Sequence, residues 1–213
     1  MRTDQVFLLR ALSALLAYPD AELRAALPDI DVVVRDARDL SMTARGELLT
    51  LVDELQRSDP LDAEARFVDL FDRGRSTSLN LFEHVHGDGR SRGPAMLDLR
   101  QRYHEAGLEP QGNELPDHLP VLLEYLSCRD AAEARETLDD CAYILRAIGN
   151  RLLKRRSRYA TVFAALLELA GASGLDPHAP IPAPEDLDRS WEERPAFTID
   201  TATPSSSQLP RGG

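Results

Sequence analysis

Hydrophobic positions recur at helical spacing along most of the chain. In residues 3–18, Leu8, Leu12, Leu15 and Leu16 make one apolar stripe, and Pro19 stops it. A short second helix is predicted over 21–27, closed by Pro28. Ser41 is placed to cap a third helix that carries Leu48, Val52 and Leu55. Asp59 caps a fourth, with Pro60 in its first position and Asp62 and Glu64 in the first turn, where the helix dipole favours acids. Its inward stripe is read as Leu61, Ala65, Val68 and Phe71. Gly74 and the hydroxyl residues Ser76, Thr77 and Ser78 then break the period. A helix over 93–106 presents Met96, Leu99 and Tyr103 and ends at Gly107. After a loop, Asp117 caps a helix with Leu119, Leu122, Leu123 and Leu126. Asp130 caps the longest helix, with Leu138, Cys141, Leu145, Ile148 and Leu152 in register. Ser157 caps the last, which buries Val162, Phe163, Leu166 and Ala170 and stops at Gly171.

No segment alternates with β-branched enrichment except the run 32–34, which is too short to pair. The pattern predicts an all-α, single-domain helical bundle over residues 1–173. Residues 174–213 are rich in Pro, Ser, Asp and Glu and are expected to form an extended or disordered tail, partly pinned by Trp191 and Phe197.

Composition narrows the function classes. The chain has 213 residues, 43% hydrophobic and only 6% aromatic, and a formal net charge of −11. Such a charge repels nucleic acid and anionic lipid and favours basic partners. Cys128 and Cys141 are too few for a disulfide framework or a zinc ribbon and are read as buried free thiols. The first residues lack the uninterrupted apolar core of a signal peptide, and no apolar run approaches the roughly 20 residues that span a bilayer. A cytoplasmic location, with the chain not embedded in a membrane, is expected.

Four constellations could carry chemistry. Glu83-His84-Val85-His86 holds one Glu-x-x-His, but a helical di-iron site needs two and the chain has no second. A zinc site there would draw on His104, Glu105 or His118. Glu114-Leu115-Pro116-Asp117-His118 has acid and imidazole together without a nucleophile placed beside them; its plain reading is a capped and rigidified helix start. Phe67 and Phe71 stand four apart, the spacing of core residues or of a groove floor. Arg151, Lys154, Arg155, Arg156 and Arg158 cluster at a helix C-terminus, where the dipole favours cations. Gly87-Asp88-Gly89 is not followed by the Lys-Ser/Thr of a phosphate loop. No catalytic residue, metal site or bound cofactor is assigned.

Three strings identify a resemblance. Ser78-Leu79-Asn80-Leu81-Phe82-Glu83-His84-Val85-His86-Gly87, Arg92-Gly93-Pro94-Ala95-Met96, and Glu114-Leu115-Pro116-Asp117-His118-Leu119-Pro120 with Leu123-Glu124-Tyr125-Leu126 resemble the NarJ family. These are the nitrate reductase molybdenum cofactor assembly chaperones, or delta subunits, within a wider group that includes TorD and DmsD. Phe67-x-x-Leu70-Phe71 and Glu114 with Pro116-Asp117-His118 resemble that group's motifs. The resemblance covers residues 3–171 and is dense over 67–126.

It implies an all-helical protein of the TorD type without enzymatic activity. Its partner would be the apo catalytic (alpha) subunit of respiratory nitrate reductase, bound through a basic N-terminal peptide that can form an amphipathic helix. The chaperone would keep that subunit competent for molybdenum cofactor insertion and delay its membrane anchoring. The cofactor is the client's, and none is expected here. On this reading Glu83, Glu114 and Asp117 are electrostatic partners of the peptide, Phe71, Leu79, Phe82 and Tyr125 floor its groove, and His118 orders the helix start. His84 and His86 are placed in the same peptide-binding site; with His118 they are expected to titrate near neutrality unless perturbed, protonation weakening the hold on a cationic peptide. The alternatives are a TorD/DmsD-type chaperone for another molybdoenzyme, or a metal-binding helical protein using His84 and His86.

Overall fold

Four of the helix starts are set by side chains that stand in for missing helical acceptors. Asp20 accepts the N–H groups of Glu22 and Leu23, and Ser41 that of Ala44. Asp59 accepts those of Leu61 and Asp62, and Asp130 those of Ala132 and Glu133. The computed structural model describes residues 3–85, 92–109, 114–176 and 178. Among them the helices are α1 Thr3–Leu15, α2 Ala21–Asp36, α3 Met42–Arg57, α4 Pro60–Phe71, α5 Arg92–Glu105, α6 Leu119–Ser127, α7 Ala131–Asp140, α8 Ala142–Lys154 and α9 Ala160–Ala170. Two 3-10 turns, Arg75–Thr77 and Leu81–His84, lie between α4 and α5. No strand occurs among the described residues, so the fold is all-α.

One hydrophobic core runs through the bundle. Its centre is α9, whose Val162, Phe163, Ala165, Leu166 and Leu167 are all buried. A helix apolar on most of its sides belongs in the interior; α3, α7 and α8 pack on this one, and only Glu168 carries a charge, at the surface. On the other side α1 lies against α2 and α6, with Leu8, Leu9, Leu12, Leu15 and Leu16 buried. Gly107 and Gly171, both at φ 74°, end α5 and α9 as predicted.

Several local expectations are overturned. Pro28 does not close α2; the helix continues to Asp36 and takes in the run 32–34. A proline there removes one backbone bond, a cost of about 3 kcal/mol. The stripe Leu23, Leu27, Ile30 and Val34 passes through it and stays buried, so packing overrides the local penalty. The long helix after Asp130 is two helices, bent at Cys141 (φ −89°, ψ −3°). Asp139 and Asp140 end the first, where the dipole disfavours anions, and the bend lets both α7 and α8 reach α9. Ser157 does not cap α9 directly; its hydroxyl accepts from Tyr159 N–H in the turn that precedes it. Cys141 is buried, and burial pushes its thiol up to about 12, but Cys128 is exposed.

The stripe assigned to α4 is also wrong. Its buried face is Ala63, Phe67, Leu70 and Phe71, and Leu61 is 74% exposed. The aromatic pair decides the rotation because it buries the most area. Phe67 and Phe71 pack at 4.8 Å, Tyr159 stands edge-on to both at 6.0 and 5.2 Å, and Tyr18 closes on Phe67 at 5.9 Å.

Residues 174–176 do not separate cleanly from the bundle. Leu175 packs against the core, and Asp176 N–H donates to Asn150 Oδ1 at 2.8 Å. Trp191, Phe197 and the rest of the tail from residue 179 on lie outside the described residues. Gly149 leaves the space Leu175 needs: a Cβ there would lie 2.5 Å from Leu175 Cδ2 and 2.9 Å from Phe163 Cβ. Gly149→Ala should therefore lower stability by about 1–3 kcal/mol in urea unfolding, the range of an overpacked core. Unchanged stability would contradict this packing.

Candidate functional site

The break after α4 and the start of α6 are 35 residues apart in sequence and meet in the fold. Thr77 bonds the carbonyl of Leu70 and so turns the chain at the end of α4. The next residues run antiparallel to the segment before α6, pairing Asn80 with His118. Leu81 N–H donates to Asp117 O at 3.0 Å, and Leu119 N–H donates to Leu79 O at 2.8 Å. The second bond supplies the acceptor that the first N–H of α6 lacks. Asp117 therefore does not cap α6, contrary to the expectation from sequence. Its Oδ2 accepts Phe82 N–H at 2.9 Å, and its side chain is fully buried.

The junction is closed by side chains from every direction. His118 Nδ1 meets Asn80 Oδ1 at 3.2 Å, and Asn80 Nδ2 donates to Glu83 Oε1, also at 3.2 Å. Arg92 of α5 approaches Glu83 at 3.7 Å. His84 Nε2 lies 2.8 Å from Ser78 O, so the neutral ring donates there. Tyr103 donates to Pro116 O at 2.7 Å, Ser13 of α1 to Pro120 O at 2.9 Å, and Arg151 of α8 to Ser76 O at 2.9 Å.

The predicted site residues fall into separate places. Leu79, Phe82, His84, Asp117 and His118 come together at this junction. Phe71 belongs to the aromatic cluster with Phe67 and Tyr159. Tyr125 packs on Tyr103 at 4.9 Å and beneath the Arg129 guanidinium. Phe71, Leu79, Phe82 and Tyr125 are only 3–6% exposed, so in this conformation they are interior rather than the floor of an open groove. Of the three acids, only Glu114 is exposed, and Glu83 is half-buried. His86 lies outside the described residues. Among those described, no three His, Cys, Asp or Glu side chains gather as a metal site.

The open surface lies next to the junction, on the face of α4 that the sequence reading turned inward. Leu61, Ala65 and Val68 line a groove of about 930 Å³ together with Tyr18 and Arg73. Asp59, Asp62, Glu64 and Asp69 rim it. Its arginines are engaged: Arg66 with Glu54 at 3.2 Å and Ser58 at 2.6 Å, Arg73 with Asp69 at 3.8 Å. Asp72, at the C-terminal end of α4, and Glu114 both act electrostatically on His118 at the junction. The signal for this face was present in the sequence. Once Phe67 and Phe71 are set inward, Leu61, Ala65 and Val68 are left as an exposed apolar line among acids.

Burial governs titration at the junction. It holds His84 below the ordinary imidazole value against the opposing pull of Ser78 O, and lowers His118 against the pull of Glu114 and Asp72. Burial raises Asp117, opposed by the Phe82 N–H and by Arg92. Titration of His84 and His118 near neutrality, expected from sequence, is thus displaced downward. As pH falls below about 6.5 the unfolded chain takes up protons that these folded imidazoles refuse, so stability is lost on acidification. Asp117 has the opposite sign: its contribution is present at low pH and lost as pH rises through its raised value. The urea midpoint should fall between pH 7.5 and pH 5.5, and His84→Gln, which keeps a donor for Ser78 O, should flatten that fall. An unchanged slope in the variant would remove His84 as a cause.

Comparison with known proteins bears on these residues. The profile of the nitrate reductase delta subunit family matches residues 36–165, which include α4, the junction and α6. The nitrate reductase molybdenum cofactor assembly chaperone NarJ of Escherichia coli K12 is 43% identical over 189 residues, 85% of this chain and 80% of the relative. The probable chaperone NarW of the same strain is 38% identical over 94% of this chain and 87% of its own. The probable assembly chaperone NarJ of Bacillus subtilis 168 is 32% identical over 78% of this chain and 89% of its own. The chain belongs to the nitrate reductase delta subunit family.

Proposed function

We propose that this chain is a cytoplasmic assembly chaperone of nitrate reductase and not an enzyme. It binds the apo catalytic subunit through that subunit's basic N-terminal segment and keeps it competent for molybdenum cofactor insertion before membrane anchoring. The cofactor stays with the client. The observation that carries this reading is the 43% identity to the E. coli assembly chaperone over most of both chains. No helix among the described residues is long and apolar enough to cross a membrane.

The groove on α4 supports the peptide part of the reading. An amphipathic helix would lay its apolar side on Leu61, Ala65 and Val68 and its cations against Asp59, Asp62 and Glu64. The acidic rim steers the approach and fixes the register, and the apolar line supplies the contact area. Glu114, Glu83 and His118 extend the same surface toward the junction. Phe71, Leu79, Phe82, Asp117 and Tyr125 act from behind it, holding α4 and α6 in place.

Pull-down from cells that express respiratory nitrate reductase should recover the catalytic subunit free of cofactor. Leu61→Lys, at an exposed position, should weaken binding of the client's N-terminal peptide about tenfold, an apolar anchor lost and a like charge gained, with the unfolding midpoint unchanged. Absence of the catalytic subunit from the pull-down would overturn the function. Unchanged peptide affinity in Leu61→Lys would overturn the groove.

A further inference from the structure

Three arginines of the basic run after α8, Arg155, Arg156 and Arg158, are exposed and line one hollow. Residues 155–159 turn the chain from α8 into α9 and close a hollow of about 270 Å³ against α3 and α4. Its lining brings together Arg66, Arg155, Arg156 and Arg158, with only Glu54 and Asp69 as carboxylates. A chain of net charge −11 thus has one corner where four guanidinium groups face two acids. Arg155 Nη2 reaches Asp69 Oδ2 at 2.6 Å, and Arg158 Nε reaches Glu54 Oε2 at 2.9 Å. A guanidinium has five N–H donors, so each of these pairs leaves donors over.

Two further features belong to residues that line the same hollow. Tyr159 is 6% exposed, yet its buried hydroxyl has no hydrogen-bond partner among the described residues. The charges that act on it are Arg66 and Glu54, both lining residues. Burial raises the phenol, which stays protonated and is a donor in search of an acceptor. Arg156 is held at φ 56°, a left-handed backbone that a side-chain-bearing residue seldom adopts. Ser157 adds its hydroxyl to the lining.

Convergent donors with surplus positive charge and one unanswered hydroxyl call for an acceptor-rich anion. We propose that this hollow binds a phosphate group, held by Arg155, Arg156 and Arg158 and by the hydroxyl of Tyr159. Planar guanidinium forks match phosphate oxygens. A hollow of about 270 Å³ is at the low end of small-ligand sites, so it takes the phosphate and leaves any organic part outside. The site shares Arg66 and Asp69 with the acidic groove on α4, but none of the proposed phosphate ligands lines that groove.

The test is isothermal titration of the full chain with sodium phosphate and with glycerol phosphate, at constant ionic strength set by chloride. Saturable binding is expected. Arg156→Gln and Tyr159→Phe should each raise Kd about tenfold, the loss of one charge-assisted bond, with circular dichroism and the ligand-free melting temperature unchanged. Tighter binding of glycerol phosphate assigns an organic phosphate as ligand, and tighter binding of phosphate assigns the free anion. No saturable binding of either, unchanged Kd in both variants, or binding of polyglutamate in place of phosphate would overturn the proposal.

Discussion

The bond from Phe82 N–H to the buried carboxylate of Asp117 is the constraint on which the candidate site depends. Between α4 and α6 the backbone leaves regular helix, and its polar groups need partners away from water. The Asn80–His118 pairing satisfies Leu81 and Leu119, and Asp117 satisfies Phe82. Losing one acceptor in such a place costs about 1–3 kcal/mol, more than an exposed hydrogen bond contributes. Burying a carboxylate is itself unfavourable, as the raised Asp117 value records. The arrangement is braced from around it, because α1, α5 and α8 all bond into the junction.

This junction fixes α4 at its C-terminal end, and the aromatic cluster fixes it along its length. With Phe67 and Phe71 turned to Tyr159, Leu61, Ala65 and Val68 must face out. The groove is thus a consequence of the core. The same helix presents Arg66 and Asp69 both to this groove and to the arginine-rich turn beside it. One helix thus borders both an acidic, apolar surface and a basic hollow, which suit ligands of opposite charge.

Much of the fold was legible in the sequence because it is written in local chemistry. Asp20 was not assigned as a cap, but Ser41, Asp59 and Asp130 were, and each bonds as its position predicts. The errors came where distant packing outweighs local preference. Pro28 is tolerated inside α2 because its stripe is buried, and the rotation of α4 is set by Tyr159, far along the chain. At the site, the motif strings marked the right segments but not which atoms face solvent. Asp117 reads as a cap and a contact residue from sequence; only the fold shows that Phe82, 35 residues away, claims its carboxylate. The acidic groove was hidden by a stripe assigned to the wrong face.

The central claim is that the motif residues act as a buried frame and the adjacent α4 face is the surface that meets the client. Hydrogen exchange read at the amides of Phe82 and Leu119 separates frame from contact in Asp117→Ala and Asp117→Asn. The account predicts fast exchange at both amides in Asp117→Ala, with client binding lost alongside, and near-native protection in Asp117→Asn, whose amide oxygen can still accept. Native protection at Phe82 and Leu119 in an Asp117→Ala protein that no longer binds its client would contradict it, because Asp117 would then be touching the client itself.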